Sequence, residues 1–383
     1  MFGFIEILLK IGSLCLILTI TGCQSDPEAE NKQRHYESHL TRQGGWHALT
    51  QNPIIQAGDF FEKGLWNDPH VLKEDNKYIM YLTSSSTQHP FKPPVLPYRA
   101  ISNDGITWQL NPKTPLMDAQ GTPFVSLETP SVVKFNGLYH LFYTGVYPDE
   151  KPFQFAIGHA TSSDGIHWKK DPIALLKPTG KVTDWDGATI GEPGAVVYKG
   201  SLIVYFSAVG QKINSKPPLA QSIGYITSRD GKTFSAPKIA LELSETYPRN
   251  ENFCGYSTPS AVAYQNEIHL FYDVVIFNDK LQPNWQQVAL NHAISLDGGK
   301  TFKQDQAPIF VRGDFDWTKG EIRSPSALFE NGKIKLWFAG MVSPSDFRPM
   351  IERGIKGREF GIGFAESDYH SLSASKTIRE TNE

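Results

Sequence analysis

Apolar and polar residues alternate along this chain in short runs with a period of two, the pattern of half-buried strands. Val71 to Leu82 is one such run, and Ser131-Val132-Val133-Lys134-Phe135 begins another. Each first run leads through a Gly or Asn turn into an aromatic second run. Asn136-Gly137 precedes Tyr139 to Tyr143, and Asn331-Gly332 precedes Ile334 to Phe338. Such turns need positive φ and mark hairpins. A third run often begins Ile-Gly, as at Ile157-Gly158, Ile223-Gly224 and Ile362-Gly363. It ends in a tight acidic turn before an aromatic: Asp104-Gly105 before Trp108, Asp164-Gly165 before Trp168, Asp230-Gly231 before Phe234, Asp297-Gly298 before Phe302. A short fourth strand follows. No stretch shows helical periodicity.

The four-strand unit recurs. Its first strand opens on a proline at Pro69, Pro130, Pro193, Pro259 and Pro325, spaced 61–66 residues apart. Repeated four-stranded antiparallel units predict an all-β fold, a five-bladed β-propeller. The last unit ends after its third strand, whereas Trp46 to Phe60 aligns with the fourth strand and exit linker of the others. The N-terminal strand is therefore expected to join the last blade and close the ring, removing two exposed edges. One propeller domain over residues 46–370 is expected, followed by a polar tail over 371–383.

Upstream, Phe4 to Ile20 reads as a secretory apolar segment ending Thr19-Ile20-Thr21-Gly22-Cys23. That ending resembles a bacterial lipobox, which implies a signal peptide over 1–22, lipidation of Cys23, and a lipid-anchored protein of the bacterial cell envelope. Residues 23–45 are polar, as a flexible tether is. Cys254 is the one cysteine in the body of the chain, so no intramolecular disulfide is expected there. The net charge of −3 gives no basic footprint for nucleic acid. No Cys/His cluster has metal-ligand spacing, so no cofactor is expected, and the protein is expected to be a monomer.

Strand order fixes which end carries chemistry. The acidic Asp-Gly turns lie opposite the proline strand starts and read as turn formers. The proline end collects Asp68 in Trp66-Asn67-Asp68-Pro69-His70, Glu128 in Glu128-Thr129-Pro130, and Glu192 in Gly191-Glu192-Pro193. If equivalent strand starts surround one axis, these three carboxylates converge. Arg323, two residues before Pro325, reaches the same end, and His70 is the histidine best placed for a pocket. Trp66, Phe124, Trp185, Tyr256 and Trp317 lie on the linkers, where they suit stacking on sugar rings or packing between blades.

Five units with an acid at the start of the first three resemble the propeller glycoside hydrolases of families 43 and 32. The resemblance covers essentially Trp46 to Ser367. It implies that Asp68 is the catalytic base (family 43) or nucleophile (family 32), that Glu192 is the general acid, and that Glu128 raises the pKa of the acid. Glu128 departs from both families, which carry Asp in the second blade, and it stands two residues before its proline rather than one. The chemistry needs one protonated carboxyl for the leaving oxygen and one ionised carboxylate across the sugar. The resemblance implies a carbohydrate substrate, of plant or algal type, and inversion if family 43 is the nearer kin. Some family 43 members hold an axial ion such as calcium, but no residue here identifies such a site. Two other readings remain open: a glycoside phosphorylase or transferase on the same fold, and a non-catalytic glycan-binding lipoprotein. Ser295 to Phe302 fits the Asp-box of sialidases, but five repeats with acidic starts do not fit their six blades.

Overall fold

The computed structural model describes residues 26–85, 93–148, 155–181, 183–211, 218–242, 252–281, 283–343 and 347–369. The signal segment, Cys23 and the tail from residue 370 lie outside them. The alternating runs form strands as expected. β1 (Trp46–Ala48) and β2 (Ile55–Ala57) are short; β3 (Trp66–Glu74), β4 (Lys77–Ser85), β5 (Val95–Ser102) and β6 (Gln109–Leu110) then pair antiparallel in that order. The order repeats in β7 (Ser126–Phe135), β8 (Leu138–Val146), β9 (Phe155–Ser162) and β10 (Lys169–Lys170). β11 (Thr189–Tyr198), β12 (Ser201–Gln211), β13 (Leu219–Ser228) and β14 (Lys238–Leu241) follow it again. Next come β15 (Phe253–Tyr264), β16 (Glu267–Phe277), β17 (Trp285–Ser295), β18 (Lys303–Gln304) and β19 (Phe310–Val311). One parallel bridge, Gln221 to Gly255, joins these last two units into a single nine-stranded sheet.

The final unit, β20 (Glu321–Glu330), β21 (Lys333–Met341) and β22 (Gly357–Asp368), supplies only three strands of its own. β1 pairs with β22, Trp46 opposite Ser367 and Ala48 opposite Ala365, and β2 pairs beside it, Ile55 opposite Ile362. The first strands neighbour one another in turn, β3 with β7, β7 with β11, β11 with β15, β15 with β20, and β20 again with β3.

Cores form between facing sheets. Tyr81 and Ile79 meet Leu127, Val132 and Leu141; Phe142 and Ile157 meet Val204 and Phe206; Met80 and Val71 meet Trp337 and Phe364. Burying each such side chain contributes about 1.5–3 kcal/mol, so every unit depends on both neighbours for its apolar faces. The Asp-Gly turns are turn formers, as expected. Asp104 Oδ1 accepts from the N–H groups of Ile106 (2.8 Å) and Thr107 (2.7 Å), and Asp230 Oδ1 does the same for Lys232 and Thr233. Burial is the largest single influence on the Asp104 carboxyl and raises it, but these bonds together with those from the Ser102 and Thr107 hydroxyls outweigh it and bring the carboxyl down to about 2.

Two expectations are corrected. The chain does contain helices, α1 (Pro27–Ser38) and α2 (Phe347–Arg353). From Asp26 onward the supposed flexible tether is a docked helix. Asp26 caps it through the Glu28 N–H, Pro27 sits in its first turn, and Glu37 is buried against Arg312 at 2.6 Å. Its face toward the protein is polar rather than apolar (Gln33 and Glu37 are buried), so no hydrophobic period announces it.

Candidate active site

Each first strand carries a bulge at its proline. The register shifts between Asn67 and His70, Glu128 and Ser131, Gly191 and Gly194, Ser257 and Ser260, and Arg323 and Ser326. The residue before each proline has positive φ: Asp68 51°, Thr129 49°, Glu192 54°, Thr258 45° and Ser324 51°. None of the five is glycine, and each such residue costs on the order of 1 kcal/mol. Five equivalent strained bulges at one end of the strands re-aim the side chains there, which is what bulges beside active sites do.

The second strands answer with hydroxyls. Thr83 faces Asn67 in register and gives its Oγ1–H to Asp68 Oδ2 at 2.8 Å. Thr144 faces Glu128, and its Oγ1 accepts the Glu192 N–H at 2.6 Å. Ser207 faces Gly191 and donates to Glu192 Oε2 at 2.6 Å. Ser324 donates to the other Asp68 oxygen at 2.8 Å, so both oxygens of Asp68 accept. Arg323 stands between acids, 3.6 Å from Asp68 Oδ1 and 3.7 Å from Glu321 Oε2.

The carboxyls differ in environment. Glu128 occupies the register position of Asn67 and Arg323, one residue off the pre-proline frame, because Thr129 takes the strained site. Its Oε1 is buried without a hydrogen-bond partner. Burial, then the charge of Asp68, pushes this carboxyl up to about 8, although Arg323 opposes them. Burial also raises Glu192, against the donors Ser207 and Thr258 N–H and the charge of Arg323. A fourth acid that sequence reasoning missed, Asp273 on β16, faces Ser257 and is fully buried. Burial and then Glu192 raise it well above the carboxylate range. Its signal was in the sequence only as register: it holds the second-strand position that carries Thr83, Thr144 and Ser207 in earlier units.

Below the acids the strands are stitched together. His70 Nε2 donates to the Val132 carbonyl at 2.8 Å, Ser131 accepts from Ala195 N–H, Ser260 from Ala327 N–H, and Ser326 from Val71 N–H. Gly194 lies where a Cβ would come within 1.9 Å of the Pro259 carbonyl oxygen, so only glycine fits there. His70, expected as a pocket residue, is thus an inter-strand tie, and burial pulls its pKa down to about 4.

Three of the aromatics expected at the substrate are corrected by their burial. Trp66 is fully buried, donates its indole N–H to the Asp59 carbonyl at 2.9 Å, and packs edge-on against Phe60, Phe61 and Tyr98. Trp317 stacks on Phe338 with ring centres 5.5 Å apart, and Tyr256 packs against Tyr272 at 5.0 Å. None of these rings has a face free for a sugar. Trp185 is half-buried and stacks on Phe206 over Gly224, whose missing side chain makes room for it. Of the expected site residues, the structure groups Asp68, Glu192, Glu128 and Arg323. Among the described residues no cluster of His, Cys, Asp or Glu could hold a metal ion.

The model of the glycosyl hydrolases family 32 N-terminal domain matches residues 128–223, a stretch that contains Glu128 and Glu192. A fructan beta-fructosidase of Streptococcus mutans is 51% identical over 44 residues, 12% of this chain and 3% of that protein. A 1,2-beta-oligomannan phosphorylase of Thermoanaerobacter sp. is 32% identical over 79 residues, 21% of this chain and 26% of that protein. The chain thus matches only small parts of these relatives. A solved thermostable family-43 glycoside hydrolase superposes with a TM-score of 0.54 at 14% identity, covering 79% of this chain and 89% of that one. The fold is that of the propeller glycoside hydrolases, as the acidic strand starts implied.

Proposed function

We propose that the protein is a glycoside hydrolase on a five-bladed β-propeller, its last blade completed by β1. It cleaves plant or algal oligo- or polysaccharides by acid/base catalysis with inversion. The observation that carries this reading is the set of equivalent bulges that turns Asp68, Glu128 and Glu192 toward one end around Arg323. Asp68, with both oxygens accepting hydrogen bonds, is the base that takes a proton from the attacking water. Glu192, raised by burial, protonates the leaving glycosidic oxygen, and Glu128 is the third carboxyl of the group, placed to modulate the acid. Buried acceptor oxygens without partners at Asn67 and Glu128 suit a ligand rich in hydroxyl donors. Upstream, Cys23 carries the lipid that anchors the protein at the cell envelope.

The test is turnover of aryl glycosides and of plant, algal, fructan and β-1,2-mannan oligosaccharides by protein starting after Cys23. Sugar release is expected, with Asp68→Asn and Glu192→Gln each lowering kcat at least ~10²-fold. Saturable glycan binding without turnover, indifferent to both changes, would leave a binding protein instead. The match to an oligomannan phosphorylase favours one second reading, a phosphorylase, and cleavage that requires added phosphate would select it. For the anchor, Cys23→Ala is expected to move the protein from the membrane to the soluble fraction.

A further inference from the structure

The entry to β20 is gripped from outside the repeat. Two consecutive carbonyls just before the strand, Lys319 and Gly320, accept hydrogen bonds from guanidinium groups. Arg34 of α1 donates to the first, and Arg312 Nη1 donates to the second at 3.2 Å. Arg312 is itself held by α1, because Glu37 accepts from its Nε at 2.6 Å and from its Nη2 at 2.8 Å. Gln33, also on α1, braces Glu37 Oε1 at 2.7 Å, and Gln286 on β17 accepts from Arg312 Nη1. Glu37 and Arg312 are both buried, so neither can leave the other without stranding a charge.

The residues that follow this entry are the ones that reach Asp68. Glu321, next after Gly320, lies 3.7 Å from Arg323, and Arg323 lies 3.6 Å from Asp68 Oδ1. Ser324 donates to that same oxygen at 2.8 Å. Acid and guanidinium groups thus alternate through a buried interior from α1 to the active site: Glu37, Arg312, Glu321, Arg323, Asp68. Burial raises Glu321, against the charges of Arg323 and Arg312 and a hydrogen bond from the Gln287 N–H.

We propose that α1 sets the geometry of the active site: Glu37 and Arg312 are positioning residues that, with Arg34, hold the start of β20 so that Arg323 and Ser324 meet Asp68. This rests on Asp68 being the catalytic base. Catalysis is sensitive to such placement, since an error of about 1 Å introduced far from the chemistry can cost about 10²-fold.

The test follows stability, turnover and Arg323 together in protein starting after Cys23. Glu37→Leu with Arg312→Met replaces the ion pair by apolar contact, which keeps most of the folding stability but removes the donor to Gly320. Glu37→Gln is the milder second variant, with the same shape and no charge. Arg323 is read by NMR in protein labelled with ¹⁵N-arginine, its Nε signal being the one lost in Arg323→Lys. In the double variant, at a urea midpoint near that of wild type, kcat is expected to fall about 10-fold or more and the Arg323 signal to shift. Glu37→Gln is expected to act in the same direction and less strongly. A purely structural role would move neither quantity in protein that is still folded. An unshifted Arg323 signal in both variants, or wild-type kcat in both, overturns the proposal. If wild type turns over no glycoside, a shifted signal keeps the link from α1 to Arg323 and rejects the hydrolase. An unshifted signal in an active enzyme that Asp68→Asn inactivates does the reverse.

Discussion

Glu128 is held where its charge is poorly served, with Asp68 and Glu192 facing it and one oxygen without a partner. In the folded chain it keeps its proton to about pH 8, against 4.5 for an ordinary glutamate. Between those values the native state binds more protons than the unfolded one, so this group lowers stability as pH rises through the window. Glu128→Gln does not titrate, and is expected to be more stable than wild type by a margin that grows from pH 4.5 to 8 and then levels off. Urea unfolding at several pH values checks this; a margin independent of pH would contradict it. Glu192 is raised too, burial outweighing the hydroxyl of Ser207, which favours the ionised form. Ser207→Ala is expected to raise the Glu192 midpoint and move the alkaline limb of kcat/KM upward. The proline motifs made Asp68 and Glu192 legible in the sequence, because acid and strain fall on the same residue. They did not separate Glu128 from Thr129, nor reveal Asp273, because only strand register tells which residues face one another.

Among elements, the strands and acidic turns were legible because alternation and Asp-Gly chemistry are local. The far rim shows why those turns recur. Tyr81, Tyr205 and Trp337 each donate a hydrogen bond to the glycine carbonyl of the next unit's turn, at Gly165, Gly299 and Gly105. Helix α1 was not legible, since what holds it is a buried ion pair whose second half, Arg312, lies 275 residues away. Both partners are buried, so removing one strands a charge. Glu37→Ala is expected to cost about 3–5 kcal/mol in urea unfolding, while Glu37→Leu with Arg312→Met recovers most of it. The linker aromatics were read as open to two roles, and burial assigned Trp66, Tyr256 and Trp317 to packing. A Trp in a linker does not tell from its neighbours in sequence which ring it will meet.

Across the whole molecule, two units repeat a histidine relay, which ends on an exposed Asp171 in one and on a buried Asp305 in the other. His140 and His159 lead to Asp171, and His269 and His292 lead to Asp305, with steps of 2.8–3.0 Å. Burial holds His269 near 4, far below the usual 6.5. The unfolded chain then binds the extra proton first, so stability is lost as pH falls from 6.5 toward 4. Over that window the Tm of His269→Gln is expected to fall less steeply than that of wild type. The repeat itself was readable because each unit lacks the apolar surface to stand alone and so writes the same pattern again. The docking of α1 was not, and it has a consequence for how the protein meets its surroundings. Asp26 gives its N–H to the Lys280 carbonyl, in the β16–β17 loop at the same end as the acids. Cys23 is three residues away, a reach of about 10 Å at full stretch. With a lipid on Cys23, the acidic end could not swing far from the bilayer on a long leash. It would stand a few water layers above the membrane, open to sugars that arrive along the cell surface.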